Sequence, residues 1–250
     1  MTTLTTEGPA SLRPELREGA VWSTWRKIAF RFAFIYIILY TTPWALPTSG
    51  IPWLYNVTQF YDQGWSWLVT LFNTHFFTVA DELVPVNGSG DTSFAWSQLW
   101  FMICFGIVAT AIWSVLDRKR KNYEVMDYWL RICVRYYISF FCLSYGIIKL
   151  FAMQMIFPSL SQLATPLGRF PPDAFVVAVQ SAIQRLYQVF SGAMETIAGL
   201  LLINRKTVTL GLIVASGVFM QVFVLNMSYD IPVKLFSASF TGVDSIPAFV

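Results

Sequence analysis

The chain has 250 residues, 56% of them hydrophobic and only 12% charged, with a formal net charge of +3 and a mean hydropathy of +0.55. A soluble domain carries about 25% charged residues, and the apolar residues here run in blocks such as Phe30–Tyr40 and Ile197–Ile203 rather than alternating at the period of a membrane barrel. Composition therefore excludes an ordinary soluble enzyme or nucleic-acid-binding domain and implies an all-α polytopic membrane protein, because only helices and closed barrels satisfy their backbone in lipid.

Residues 1–25 are polar, include Pro9 and Pro14, and read as a cytoplasmic arm without a signal-cleavage pattern. The rest, 26–250, reads as one transmembrane helical domain of about five spans. The first is expected over 27–46. Arg26 and Lys27 anchor its start, Pro43 and Pro47 loosen its end, and Arg31 is placed to snorkel back to the headgroups. Residues 48–93 form an outer segment. Within it, 51–72 is rich in Trp and Tyr but interrupted by Pro52, Asp62 and Gly64, which fits an interfacial or re-entrant helix and leaves open whether it crosses. Asn73–Ser93 reads as loop, with the turn-prone NGSGDT at Asn87–Thr92.

The second span is expected over 94–116 and ends at the DRKRK cluster, Asp117–Lys121. The third is expected over 127–151. A segment rich in breakers follows (Pro158, Pro166, Gly168, Pro171, Pro172), and Asp173 then caps an amphipathic helix leading to a fourth span over 185–203. Arg205 and Lys206 mark the next turn, a fifth span covers 208–227, and the tail from Tyr229 reads as outside. The basic clusters set the orientation: N-terminus inside, C-terminus outside. Cys104, Cys133 and Cys142 all fall within spans and form no CxxC. The single histidine, His75, excludes a haem held by two histidines of this chain. His75 with Asp81 and Glu82 is a weak metal alternative, and no metal is expected.

Two polar stripes stand out. On the third span Tyr128, Arg131, Arg135, Cys142, Tyr145 and Lys149 share one helical face, and on the fourth Gln184, Gln188, Ser191 and Glu195 do the same. A lone carboxylate inside an apolar span is costly and marks a site with a partner. The candidate buried polar site is Glu195, Tyr145, Lys149, Gln188 and Arg135. With both spans centred alike, the Tyr145 hydroxyl comes nearest Glu195, and Lys149 reaches only by extending inward or if the fourth span sits higher. Bland alternatives stay open: Arg131 and Arg135 as snorkels at the inner interface, Lys149 as an outer anchor, Glu195 as a structural hydrogen-bonding group. Gly192, Ala193, Ala198 and Gly199 on the fourth span, with Gly211, Ser216 and Gly217 on the fifth, read as packing residues that let helices approach closely. Gln221 and Asn226 read as hydrogen-bond partners within the bundle.

Several segments resemble the DoxX-like family of bacterial membrane proteins. Arg131–Phe151, with Arg131 or Arg135 opening it and Gly146-x-x-Lys149 closing it, is similar to that family's first span, and Phe190–Leu202, with Gly192-x-x-Glu195, to its second. Leu225–Leu235, Gly88–Thr92 and Ile112–Arg118 resemble a subset of larger members. The resemblance implies a four-helix core, and no clear fourth span follows Lys234, so span 1 or 2, or a partner chain, is expected to complete it. It also implies a link to membrane redox systems such as the small subunit of thiosulfate:quinone oxidoreductase, with a quinone as the one cofactor in view. A fold-level likeness to the membrane domain of vitamin K-dependent carboxylases is more distant. Three functions remain open: a redox-linked subunit binding a quinone headgroup or relaying a proton, a non-catalytic scaffold or assembly subunit, and a small-solute transporter. Whether the chain is an enzyme is left open. The expected partners are lipid and other membrane subunits or further copies of the chain, not nucleic acid.

Overall fold

The computed structural model describes residues 21–41, 52–85, 90–151 and 185–245, with positions 153, 160, 164 and 166. Among these residues the fold is all-helical: α1 Thr24–Thr41, α2 Pro52–His75, α3 Ser93–Leu116, α4 Glu124–Leu150, α5 Arg185–Ile203, α6 Val208–Ser228 and α7 Lys234–Ser245. Residues 42–46 of the expected first span, residues 87–89 of the NGSGDT turn and the helix expected after Asp173 lie outside the described residues.

Four helices are long and apolar enough to cross a membrane: α3, α4, α5 from Leu186, and α6. The cause is simple. Each carries roughly twenty residues of apolar run, the length that spans a hydrocarbon core. Their outward faces stay apolar, as on α3, where Phe105, Ile107, Val108 and Ile112 are all exposed. α1 is less apolar, with Arg26, Lys27 and Arg31 among its 18 residues.

α1, α2 and α3 pack together. Trp65 and Val69 of α2 are buried with Met102 of α3 against Tyr36 and Leu39 of α1. α2 runs on through His75, where loop was expected, and Asn73 closes the turn beyond it. Its side chain donates to Ala80 O and accepts from Val79 N, both at 2.9 Å. Thr92 caps α3 through its Oγ1, which accepts from Ala95 N at 3.2 Å.

Arg31 does not snorkel. It is 4% exposed and donates Nε to the Tyr123 hydroxyl (2.9 Å), Nη1 to Ser114 Oγ (2.8 Å) and Nη2 to Asp117 O (3.0 Å). Tyr123 in turn donates to Asp117 Oδ2 at 2.8 Å. A guanidinium offers five donors in a fixed fork, and three of its bonds here tie α1 to the α3–α4 turn. Phe30 stacks on Tyr123 at 5.2 Å and Trp113 meets it edge-on at 5.6 Å, so the clamp sits inside an aromatic collar.

The closest seam joins α4 and α5, which run antiparallel. A Cβ at Gly146 would lie 2.6 Å from Thr196 Oγ1, one at Gly192 would lie 2.7 Å from Leu150 N, and one at Gly199 would lie 2.8 Å from Leu143 Cγ. Without those glycines the backbones could not approach this far. Ser139 Oγ adds a bond to Gly199 O at 2.8 Å. Gly211 serves the α5–α6 contact, 3.0 Å from Leu202 N. Gly217, expected to pack, has nothing within 4 Å of its Cβ position and faces out.

The tail forms an unexpected helix. α6 ends at Tyr229, and Asp230 adopts a left-handed φ of 54°, which turns the chain back. α7 then lies against α6 and α4. Its first amides are capped from afar: the Asp91 carboxylate accepts from Lys234 N and Leu235 N, each at 2.9 Å, and Asp91 N donates to Pro232 O at 3.3 Å. A carboxylate at a helix N-terminus satisfies orphan N–H groups and complements the helix dipole. Asn226 Nδ2 donates to Ser237 Oγ at 3.2 Å, fixing the corner from inside.

Candidate functional site

The site follows from the glycine crossing. At Gly146 and Gly192 the two backbones touch, and a Cβ at Gly192 would lie 2.7 Å from Lys149 Cβ. Lys149 therefore stands level with Gly192, three residues from Glu195, or ~4.5 Å along the α5 axis. Equal centring of the two spans misplaces this register, because the glycines rather than the span midpoints fix it. Lys149 Nζ donates to Glu195 Oε1 in a buried ion pair. Tyr145 is not the partner. It is 37% exposed and packs between Phe141 and Phe236.

Beside the pair lies a cavity of about 310 Å³. α4 contributes Phe141, Cys142, Tyr145 and Lys149 to its wall, and α5 contributes Tyr187, Gln188, Ser191 and Glu195. α6 adds Phe219, Val222, Leu225 and Asn226, while Ile231, Val233, Phe236 and Ser237 come from the corner and α7. The cavity is at the end of the bundle opposite the basic turns at 117–121 and 205–206, since it gathers the end of α4, the start of α5 and the end of α6. At ~30 Å³ per water it has room for about ten waters or one substituted ring.

Two polar atoms there lack a partner among the described residues. Glu195 is 3% exposed and its Oε2 bonds to nothing, and Gln188 is 5% exposed with an unpaired Nε2. Buried polar atoms are normally hydrogen-bonded, so each such exception calls for an explanation. The two residues are seven apart on one face of α5, two turns of helix. Gln221 Nε2 donates to the Tyr187 hydroxyl at the rim. The arrangement thus sets a fixed ion pair and two further buried polar groups, neither satisfied among the described residues, beside a cavity with aromatic walls, the makeup of a small-molecule pocket.

Arg135 is not brought to this cavity. It shares the helical face of Lys149 but lies 14 residues away, ~21 Å along α4. Its guanidinium sits 4.7 Å over the Tyr136 ring, with Nε unpaired. Arg131 pairs with Asp127, and Tyr128 is exposed. His75 turns back on its own helix, with Nδ1 3.0 Å from Leu71 O, and Asp81 and Glu82 are exposed. Among the described residues no three His, Cys, Asp or Glu side chains gather as a metal site. The sequence reading missed the part of the wall built by α7, Phe236 and Ser237. Asn226, an amide near the end of an apolar run that donates to Ser237 of α7, is the one residue whose pattern could have signalled it.

Compared with protein-family models, with curated proteins and with solved structures, the chain matches none.

Proposed function

We propose that this protein is a bacterial inner-membrane subunit of a redox-linked system, and that the cavity at Glu195 and Gln188 holds a quinone-type headgroup. One observation carries the reading: Glu195 and Gln188, two buried polar residues of one face of α5, line a cavity of about 310 Å³ whose other walls are largely aromatic and aliphatic. A quinone-type headgroup has polar groups on opposite edges and apolar faces, which suits a wall that sets the Glu195 and Gln188 side chains among the Phe141, Tyr145 and Phe236 rings. The resemblance of Gly146-x-x-Lys149 and Gly192-x-x-Glu195 to DoxX-like motifs supports the same assignment. Electrons come from a partner protein, with the chain contributing position and hydrogen bonds. α1 counts as a fifth span in this arrangement, with the N-terminus and the basic turns cytoplasmic and the cavity on the outer half.

The test is extraction. The protein is purified in mild detergent and its bound lipids are analysed. A quinone near one per chain is expected, reduced severalfold in Gln188→Leu. Quinone no higher than in matched membrane-protein preparations refutes the proposal.

A further inference from the structure

α2 matches α3 in length, 24 residues each, yet only α3 of the two is apolar enough to cross a membrane. Its residues fall in three stripes at helical spacing. Trp65, Val69 and Asn73 form a buried stripe. Gln59, Gln63, Ser66, Thr70 and Thr74 form a second, polar and exposed throughout. Phe60, Trp67 and Leu71, with Gly64 between them, form a third, apolar and also exposed. At 3.6 residues per turn the polar stripe lies between the other two, about a quarter-turn from each. A helix sunk in hydrocarbon would leave Gln59, Asp62 and Gln63 without water. A helix in water would not present Phe60 at 80% exposure beside Trp67 at 63%. Only a boundary suits both stripes.

Ring contacts give the direction of the helix. Trp65 and Phe72 both meet Phe101 of α3, with centroids 5.3 and 5.6 Å away, and Phe77, just past the end of α2, meets Trp100 at 5.0 Å. Positions 65 to 77 thus converge on positions 100 and 101. Helices running side by side would match like separations on both, so α2 lies across α3. The crossing falls ~12 Å along α3 from Ser93, beside the exposed indoles of Trp96 and Trp100, the residue type that marks a membrane surface. That end of α3 is the one away from the basic turn at 117–121.

We infer that α2 lies flat in the membrane–water interface at the cavity's end of the bundle, with Gln63, Ser66 and Thr70 toward water and Phe60, Trp67 and Leu71 held between phospholipid headgroups and acyl chains. This closes the question of whether the segment crosses, and it does not rest on the quinone reading. Asp62 is the one Asp, Glu, Lys or Arg in α2, so apolar burial rather than attraction to anionic lipid holds the helix.

The experiment uses the full chain in nanodiscs of zwitterionic phospholipid, which leave both membrane faces open to a membrane-impermeant maleimide. Single cysteines are introduced at exposed positions of α2, and the parent, with Cys104, Cys133 and Cys142, sets the background. Gln63→Cys, Ser66→Cys and Thr70→Cys should label alike. Trp67→Cys and Leu71→Cys should label at least about tenfold more slowly, because apolar surroundings suppress the reactive thiolate, and all five should label in SDS. The same pattern is expected when anionic lipid is added. Protection of Ser66→Cys and Thr70→Cys as well means that α2 enters or crosses the bilayer and overturns the inference. Fast labelling of Trp67→Cys and Leu71→Cys places that stripe in water and also overturns it. A Trp67→Cys cross-link between copies on mild oxidation replaces lipid by a second chain as the occupant, and protection seen only with anionic lipid contradicts anchoring by burial.

Discussion

Replacing Gly146 by alanine probes the contact on which the register of the site depends. The new Cβ would lie 2.6 Å from Thr196 Oγ1, 2.7 Å from Thr196 N and 2.9 Å from Gly192 O. Two of those three atoms are backbone and cannot rotate away. Carbon contacts are most favourable at ~3.5–4.0 Å, so the helices must part by about 1 Å. Overpacking of this kind costs ~1–3 kcal/mol, and backbone contacts put it at the upper end. Alanine recovers ~1 kcal/mol of helix propensity. The net expectation is a loss of about 2 kcal/mol, by the difference of those two terms. Gly217→Ala is the control, since nothing lies within 4 Å of its Cβ position, and it should gain up to ~1 kcal/mol. Reversible unfolding in mixed micelles of SDS and a mild detergent measures both. If the two variants agree within ~0.5 kcal/mol, the crossing is not close and the placement of Lys149 beside Glu195 loses its cause.

Lys149→Met leaves a buried carboxylate unpaired and should destabilise by ~3–5 kcal/mol, while the double variant Lys149→Met/Glu195→Leu should recover most of that loss; additive effects in the same unfolding assay would show that the two side chains do not interact. Asp91→Ala removes the cap from α7 and should cost ~1–2 kcal/mol locally, seen as faster hydrogen exchange at the Lys234 and Leu235 amides, and unchanged exchange there contradicts the cap. Tyr123 predicts a pH dependence. Burial raises its phenol above the ordinary value of 10.0, with the Arg31 bond opposing. A raised acid is neutral in the fold, so its contribution is intact below pH ~10 and is lost as pH climbs from there toward the folded value. The parent should lose stability between pH 9 and 11 faster than Tyr123→Phe does, and parallel pH profiles would contradict the buried clamp.

The spans from α3 to α6 were legible because length and apolarity leave a membrane chain little choice, and their ends fall within a few residues of the apolar runs. The two polar stripes were legible for the same geometric reason, since spacings of three, four and seven share a helical face. Depth was not legible. Arg135 and Lys149 have the same azimuth and different heights, and only the Gly146–Gly192 contact fixes which of them meets Glu195. Arg31 illustrates a second gap. Its pattern fits a snorkelling cation, yet its partners Ser114, Asp117 and Tyr123 are more than 80 residues away in sequence. α7 was invisible because twelve residues are too few to span lipid, and its cap comes from a loop 143 residues upstream.

That long-range cap makes the cavity wall answer to a distant loop. Phe236 and Ser237 keep their places while the Asp91 carboxylate holds the first turn of α7 and the turn at Asp230 folds that helix back. A change at Asp91 therefore reshapes the cavity without altering any residue that lines it.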